Sequence, residues 1–453
     1  MLRRLLQACA LLVIAVSAAG ATSGELTGVR VASIESPGEE VEPADAALKA
    51  AAAAAAAEQG VPTPPSILRP VQLPVPDRER DPPLPKAKSM TRSEDLLARA
   101  RKNAEGRLTV EVEGRSRVLT VDPLLQSRLE AIMSSYETPY AAVVVVEPST
   151  GRVLALAEHS AAQPGFRGLP LKAVFPAASI FKVVTAGALL ERGVKAEDEA
   201  CSFGGMRRVS EKHLEDTARD RECFTLAKAL GASANAVFAK MTVNHLDRDA
   251  LVDAAERFGF NRALEFPMPV EPSLASVPED RFGLGETGAG FGDVFLSPLH
   301  GALLAAVPAN GGLLRAPVLF EDQVESPPEP VRVMEEEVAL ALGEMLEETV
   351  TTGTARRVFR ERGFRVEGAV GKTGSLADKK PFRDYSWFVG YAPKSGPRVA
   401  VAAIVVNDPK WRIRGSWLGR EGLRLGLQSA LLTPASAPVT AAADEGSAHA
   451  GSP

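Results

Sequence analysis

Two strand-like runs stand near the front of one dense stretch of this chain and three stand near its end, with helical periodicity filling the interval. Ala141 to Val146 and Arg152 to Ala157 flank Pro148-Ser149-Thr150-Gly151, a turn of the kind that joins antiparallel neighbours. Ala369 to Leu376, Tyr385 to Tyr391 and Val399 to Val406 are separated by turn-rich residues. Between them, Val237 to Leu246, Ala250 to Phe258, Leu299 to Ala306 and Glu335 to Val350 carry a helical apolar period. A helix with Leu125, Leu129, Ile132 and Met133 on one face precedes the first strand, and another, from about Arg420 to Leu432, closes the stretch. Strands contributed by both ends must meet in one sheet. The expected class is therefore α/β of the α+β type: an antiparallel five-stranded sheet flanked by helices, with a mainly helical subdomain beside it.

Composition delimits that block to residues 106–432, larger than a typical single domain. Residues 22–105 hold an alanine run from Ala46 to Ala57 and prolines scattered from Pro62 to Pro85. Such a segment buries too little apolar area to offset chain entropy and is expected to be a disordered tether, as is the Ala-, Ser- and Gly-rich tail 433–453. At the front, Arg3 and Arg4 precede an apolar stretch from Leu5 to Ala21 that ends in Ala19-Gly20-Ala21. Residues 1–21 read as an export signal with a small-residue cleavage site, or as an uncleaved anchor at the short end of a membrane span. Either way the bulk is expected in the periplasm or on the outer face of the cytoplasmic membrane, with the membrane touched only through that segment if it stays uncleaved.

That placement governs the cysteines. With Cys9 gone, Cys201 and Cys223 are the two that remain, and an oxidising compartment lets them close a disulfide around the polar loop Gly204 to Arg221; the alternative is two independently buried thiols. The chain has 52 Lys+Arg against 57 Asp+Glu, a net charge of −5, and no uninterrupted basic run, which argues against nucleic acid as a partner. Neither CxxC nor HExxH occurs among 3 cysteines and 5 histidines, so no metal and no cofactor is expected.

The chemistry-bearing residues lie in three places. Ser179-Ile180-Phe181-Lys182 opens a helical segment, which sets hydroxyl and amine on one face. Serine alone is a poor nucleophile; a lysine can take its proton only when burial or a second cation keeps the amine partly neutral. Ser233-Ala234-Asn235 begins the helix carrying Val237, and offers a hydroxyl for proton relay and an amide for a peptide carbonyl. Lys372-Thr373-Gly374-Ser375 lies in the first late strand, with a second ammonium, two hydroxyls for a carboxylate, and a glycine that lets a substrate backbone approach. Each motif alone is weak. All three in this order, each on a fitting element, are specific.

At these residues the chain resembles the penicillin-binding proteins in their transpeptidase domain, a relation that covers about Val118 to Leu432. Leu119-Thr120-Val121-Asp122-Pro123 with Leu125-Gln126, and Glu147-Pro148-Ser149-Thr150-Gly151, look like the family's opening and first hairpin. Ser297-Pro298-Leu299 through Ala309-Asn310-Gly311-Gly312, Thr352-Gly353-Thr354-Ala355 and Trp387-Phe388-Val389-Gly390-Tyr391 are similar to further blocks. The resemblance implies a serine D,D-transpeptidase that acts on peptidoglycan stem peptides ending in D-Ala-D-Ala and is trapped by β-lactam antibiotics. Ser179 would be acylated, Lys182 would be its base, Ser233 would pass the proton to the leaving amine, and Lys372 would help keep Lys182 neutral. Asn235 would bind the acyl side chain, Thr373 and Ser375 the terminal carboxylate, and the backbone N–H groups of Ser179 and Ser375 the oxyanion.

Ala177-Ala178 stands where many relatives have Pro-Gly, and Ser375 where threonine is commoner; both look tolerable. The residues before the block are too few and too low in complexity for a glycosyltransferase domain, so a separate glycan-polymerising enzyme is an expected partner. Rival readings are a D,D-carboxypeptidase or β-lactamase that hydrolyses the same ester, and a non-catalytic β-lactam- or wall-binding module. No Glu-x-x-x-Asn arrangement follows Ser-Ala-Asn, which disfavours dedicated deacylation, and intact Ser179, Lys182 and Lys372 disfavour a mere binder. Gly283-Leu284-Gly285-Glu286-Thr287-Gly288 matches a dinucleotide pattern but lacks a preceding strand, and is expected to be a loop near the rim of the site. Gly371-Lys372-Thr373 lacks the first glycine of a phosphate loop, Val366 standing in its place.

Overall fold

The computed structural model describes residues 88–433 and the short strand Leu68–Pro70. The export segment, most of the Ala/Pro-rich stretch and the tail after Thr433 lie outside the described residues. Five strands form the central sheet: β1 (Tyr140–Val146), β2 (Val153–His159), β3 (Val370–Lys379), β4 (Phe382–Ala392) and β5 (Val399–Asn407). Their order is β3-β4-β5-β1-β2 and every pairing is antiparallel. The two ends of the block thus meet where Val401 pairs with Val145 and Ile404 with Ala142.

Both faces of the sheet are covered, which is why β1 and β5 read as unbroken apolar runs rather than alternating ones. Among the described residues there are nine longer helices, some on the sheet and the rest in the helical subdomain beside it: α1 (Pro123–Ser135), α2 (Lys182–Glu191), α3 (Leu226–Ala232), α4 (Asn235–His245), α5 (Arg248–Arg257), α6 (Arg281–Gly288), α7 (Pro298–Ala309), α8 (Glu336–Thr351) and α9 (Gly415–Gly426). Ala142, Val144 and Val146 pack toward the larger core with α7 and the helical subdomain; Ala141, Val143 and Val145 pack on the other side with Leu125 and Leu129 of α1 and Leu418 and Leu423 of α9. Asp122 caps α1 by accepting from Leu124 and Leu125 N–H, and the Pro123 that follows suits a first helical position. Among the described residues no helix is long and apolar enough to cross a membrane.

Three expectations need correction. The folded block begins before residue 106: Met90 and Leu96 are buried, Asp95 caps the turn Leu96–Arg99, and Arg101–Lys102 joins a ribbon with Leu108–Val112 and Arg115–Val118. Two apolar anchors suffice to tie down a segment whose average composition looks disordered. The last helix is Gly415–Gly426 rather than Arg420 to Leu432. Its glycines mark contact, not interruption: a side chain on Gly415 would meet Ser386 O at 2.0 Å, on Gly419 Phe388 at 2.5 Å, and on Gly422 Val401 at 2.8 Å, so the glycine stripe lets the helix lie flush on the sheet. The glycine-rich segment from Gly283 is likewise helix α6, not a loop. A side chain on Gly288 would strike Thr242 Oγ1 of α4 at 2.1 Å, so these glycines serve helix-to-helix approach.

Candidate active site

The two lysines and two serines of the motifs converge where the sheet's edge strand β3 meets the helical subdomain. Ser179 sits in a single 3-10 turn, Ala178–Ile180, that leads into α2. Ala178 adopts φ 48°, the left-handed region that favours glycine, and its carbonyl presses on Gly290, where an added side chain would lie 2.2 Å from that oxygen. The turn is also held from the sheet, since Trp387 Nε1 on β4 donates to Pro176 O at 2.9 Å.

Lys182, at the first turn of α2, is fully buried, and its Nζ has three partners: Ser179 Oγ at 2.9 Å, Asn235 Oδ1 at 2.7 Å, and the carbonyl of Ala289. Burial pushes its pKa well below the usual lysine range, and the nearby Lys372 pushes it the same way. The neutral amine has two N–H donors and one lone pair. Asn235 Oδ1 and Ala289 O can only accept, so those two N–H groups go to them and the lone pair is left facing the one partner that can donate, the Ser179 hydroxyl. The arrangement can take a proton from serine.

Lys372, on β3, is also fully buried and donates to Ser233 Oγ at 2.9 Å and to the carbonyl of Thr373 at 2.7 Å. Burial lowers its pKa to about 7. Ser233 ends α3 with φ 57°, and Asn235 begins α4 two residues later; this sharp link turns one side chain to each lysine. Asn235 Nδ2 in turn donates to Arg207 O at 2.7 Å. Arg207 belongs to the loop tied by the disulfide Cys201–Cys223, which joins the paired strands Glu199–Ser202 and Glu222–Thr225. Beneath that loop the buried Lys240 of α4 donates to Cys201 O and Asp220 Oδ2, both at 2.7 Å.

Every motif residue anticipated from the sequence thus falls at one seam, with Thr373 half-buried and Ser375 exposed on β3. Gly374, expected to let a substrate backbone approach, also meets the serine turn. The space its side chain would need is filled by Ile180 and Ala177 O, at 3.0 and 3.2 Å, so the glycine lets β3 lie against the serine turn. Sequence reasoning missed the groups that act through their backbone, Ala289, Gly290 and Arg207, because a carbonyl acceptor leaves no residue-type signal. It quoted Thr354 only as part of a similar segment; Thr354 Oγ1 lies 2.5 Å from Thr373 Oγ1 and extends the hydroxyl row. Among the described residues no group of three His, Cys, Asp or Glu side chains could hold a metal.

Fold and site together define a protein built of an antiparallel sheet and a helical subdomain, with a serine–lysine pair at their seam. The chain belongs to the penicillin binding protein transpeptidase domain family, whose sequence model matches residues 141–417. It is 26% identical over 310 residues to peptidoglycan D,D-transpeptidase PbpA of Mycobacterium tuberculosis, covering 59% of this chain and 62% of the relative. It is 25% identical over 332 residues to stage V sporulation protein D of Bacillus subtilis, covering 67% of this chain and 51% of the relative. The chain therefore spans less than two thirds of the length of these curated relatives. Among solved structures it is similar to penicillin-binding protein A from M. tuberculosis in an imipenem acyl-enzyme complex, with TM-score 0.55 and 24% identity over 68% of this chain and 79% of that one. The transpeptidase domain of a peptidoglycan glycosyltransferase from Eggerthella lenta gives TM-score 0.57 at 23% identity, over 73% of this chain and 94% of that one.

Proposed function

We propose that this protein is a serine D,D-transpeptidase that cross-links peptidoglycan stem peptides outside the cytoplasmic membrane. The observation that carries the reading is the buried Lys182 amine, 2.9 Å from Ser179 Oγ and depressed in pKa by burial and by Lys372. Lys182 takes the Ser179 proton as Oγ attacks the carbonyl between the two terminal D-Ala residues. Backbone N–H groups of Ser179 and Ser375 receive the oxyanion, and Thr373 and Ser375 hold the terminal carboxylate. Ser233, fed by Lys372, returns a proton to the departing D-Ala amine. An amine of a neighbouring strand then attacks the ester and gives its proton through Ser233 to Lys372, while Lys182 returns the proton it had taken to Ser179 Oγ as the ester bond breaks. A separate polymerising enzyme would supply the glycan.

Among the described residues no carboxylate hydrogen-bonds to Ser179, Lys182, Ser233 or Lys372, which supports slow hydrolysis of the ester over a β-lactamase or carboxypeptidase role. The disulfide supports a location in an oxidising compartment. The test is intact mass after incubation with benzylpenicillin. The parent should carry one lasting adduct and Ser179→Ala none; a donor peptide and an acceptor amine should then yield cross-linked product. Consumption of penicillin without a lasting adduct would overturn the reading in favour of a β-lactamase.

A further inference from the structure

We propose that the exposed arginine segment 356–365 is a docking surface for peptidoglycan strands through the carboxylates of their uncross-linked peptides, an inference that rests on the transpeptidase reading above. The segment reads Arg-Arg-Val-Phe-Arg-Glu-Arg-Gly-Phe-Arg, five arginines against one acid, in a chain whose net charge is −5. Arg356, Arg357, Arg360, Arg362 and Arg365 are all exposed. Among the described residues none of their guanidinium groups is seen in an ion pair or hydrogen bond.

The one acid is already neutralised from below. Arg420 of α9, whose own side chain is buried, donates to Glu361 Oε2 at 2.5 Å and to Val358 O at 2.8 Å, and lies 4.9 Å from the centre of the Phe364 ring. Arg420 also pairs with the buried Glu421 at 3.0 Å, and Arg424 pairs with Glu421 at 2.7 Å, so two arginines offset two carboxylates, the segment's shape is held, and five positive charges are left to face outward. A surface with no role would lose self-repulsion by pairing them; here they stay unpaired on a held scaffold.

Place names the partner. Arg356 follows Thr354 by two residues, and Thr354 Oγ1 is 2.5 Å from Thr373 Oγ1, so the cluster starts at the Lys372-Thr373 side of the cleft and leads away from it. A strand bearing donor peptides carries a terminal carboxylate on each, at repeated intervals. A guanidinium fork receives a carboxylate through two parallel N–H bonds, which a lysine ammonium cannot do. One exposed pair contributes about 0.2–1 kcal/mol. Several on one scaffold facing one polymer act together, since each contact raises the effective concentration of the next.

The experiment is co-sedimentation of the full chain with purified, uncross-linked peptidoglycan over a range of sodium chloride, beside the variant Arg357→Gln/Arg360→Gln/Arg362→Gln/Arg365→Gln. The parent should bind at about 0.05 M salt and lose most binding by about 0.5 M. The variant should bind about tenfold more weakly at low salt, yet be acylated by benzylpenicillin within twofold of the parent rate. The milder Arg360→Gln/Arg362→Gln pair should fall between them, and serves if the fourfold variant fails to fold. Equal sedimentation of parent and variant would overturn the proposal, as would equal binding of the parent to glycan stripped of peptides or to phosphatidylglycerol vesicles. Arginine-dependent sedimentation by a parent that penicillin does not acylate would leave the docking surface standing and sink the transpeptidase reading instead.

Discussion

Replacing Lys372 by methionine should slow acylation severely and yet stabilise the fold below pH 7. Lys372 is fully buried and its pKa falls from 10.5 to about 7, so carrying it into the folded state in place of a neutral side chain costs on the order of 5 kcal/mol below pH 7. Methionine keeps the chain length and adds no charge. Its substitution removes two hydrogen bonds that the ammonium donates at pH 6, to Ser233 Oγ and Thr373 O, worth about 3–4 kcal/mol together. The net expectation is a gain of about 1–2 kcal/mol at pH 6, or roughly 1–3 °C in Tm for a domain of this size. The sign with pH is fixed. Between pH 7 and 10.5 the unfolded parent holds a proton that the folded parent has released, so parent stability rises with pH, and the variant lacks that rise. The advantage of Lys372→Met must therefore be greatest near pH 6 and shrink toward pH 10. In the same variant Lys182 loses its neighbouring charge and keeps its own proton to higher pH, so residual acylation should move its acidic limb upward. Thermal melts of both proteins from pH 6 to 9.5, with benzylpenicillin acylation alongside, decide the matter. A variant that melts below the parent at pH 6, or a difference that stays flat with pH, would refute the reasoning.

Other substitutions probe the serine turn and the loop behind it. Gly290→Ala places a side chain 2.2 Å from Ala178 O at φ 87°, and should lower stability by more than about 2 kcal/mol in a urea titration while slowing acylation; a neutral result would mean that the turn yields. Ala178 sits at φ 48° with its side chain buried, so Ala178→Gly should hold stability within about 1 kcal/mol and keep acylation, whereas the β-branched Ala178→Val should lose both. Reduction of Cys201–Cys223, which closes a loop of separation 22, should cost about 3 kcal/mol. Because Arg207 O receives Asn235 Nδ2, reduction should slow acylation below the denaturation midpoint, and full activity in reductant would cut that link.

The sequence was legible wherever side-chain type carries the signal. The order of strand-like runs gave the five-stranded sheet, since residues buried on both faces, such as Val143 and Val144, have to be apolar whichever way they point. Ser179, Lys182, Ser233, Asn235 and Lys372 could be singled out because the proposed chemistry would require those residue types, and the structure brings them within hydrogen-bond reach of one another. Glycine was misread in the segment from Gly283 to Gly288, and its part elsewhere was not legible, for one reason. Gly283 to Gly288, Gly374 and the stripe from Gly415 to Gly426 mark surfaces where another element comes within van der Waals reach, and only the tertiary structure says which element that is. The boundary at residue 106 failed differently, because two buried side chains, Met90 and Leu96, outweigh the average composition around them.

The placement of the two lysines explains why the site lies at a seam and not within either layer. Lys182 draws its partners from the serine turn, from the start of α4 and from the residue after α6, while Lys372 on the sheet draws one partner from the end of α3 and one from its own strand. An amine inside a helix layer would find its backbone acceptors already used; carbonyls remain free to hold a buried amine where an element ends, as at Ala289 O, or along the sheet's edge strand, as at Thr373 O. Folding therefore positions the pair by bringing four chain ends together, and the polar contacts that make the lysines tolerable are those that aim them at the serines. Burial strong enough to strip their protons is harmless to the fold only while those contacts persist. Loosening any one of the four elements should thus raise the pKa of Lys182 before it unfolds the domain, so loss of acylation should precede loss of structure as urea is raised.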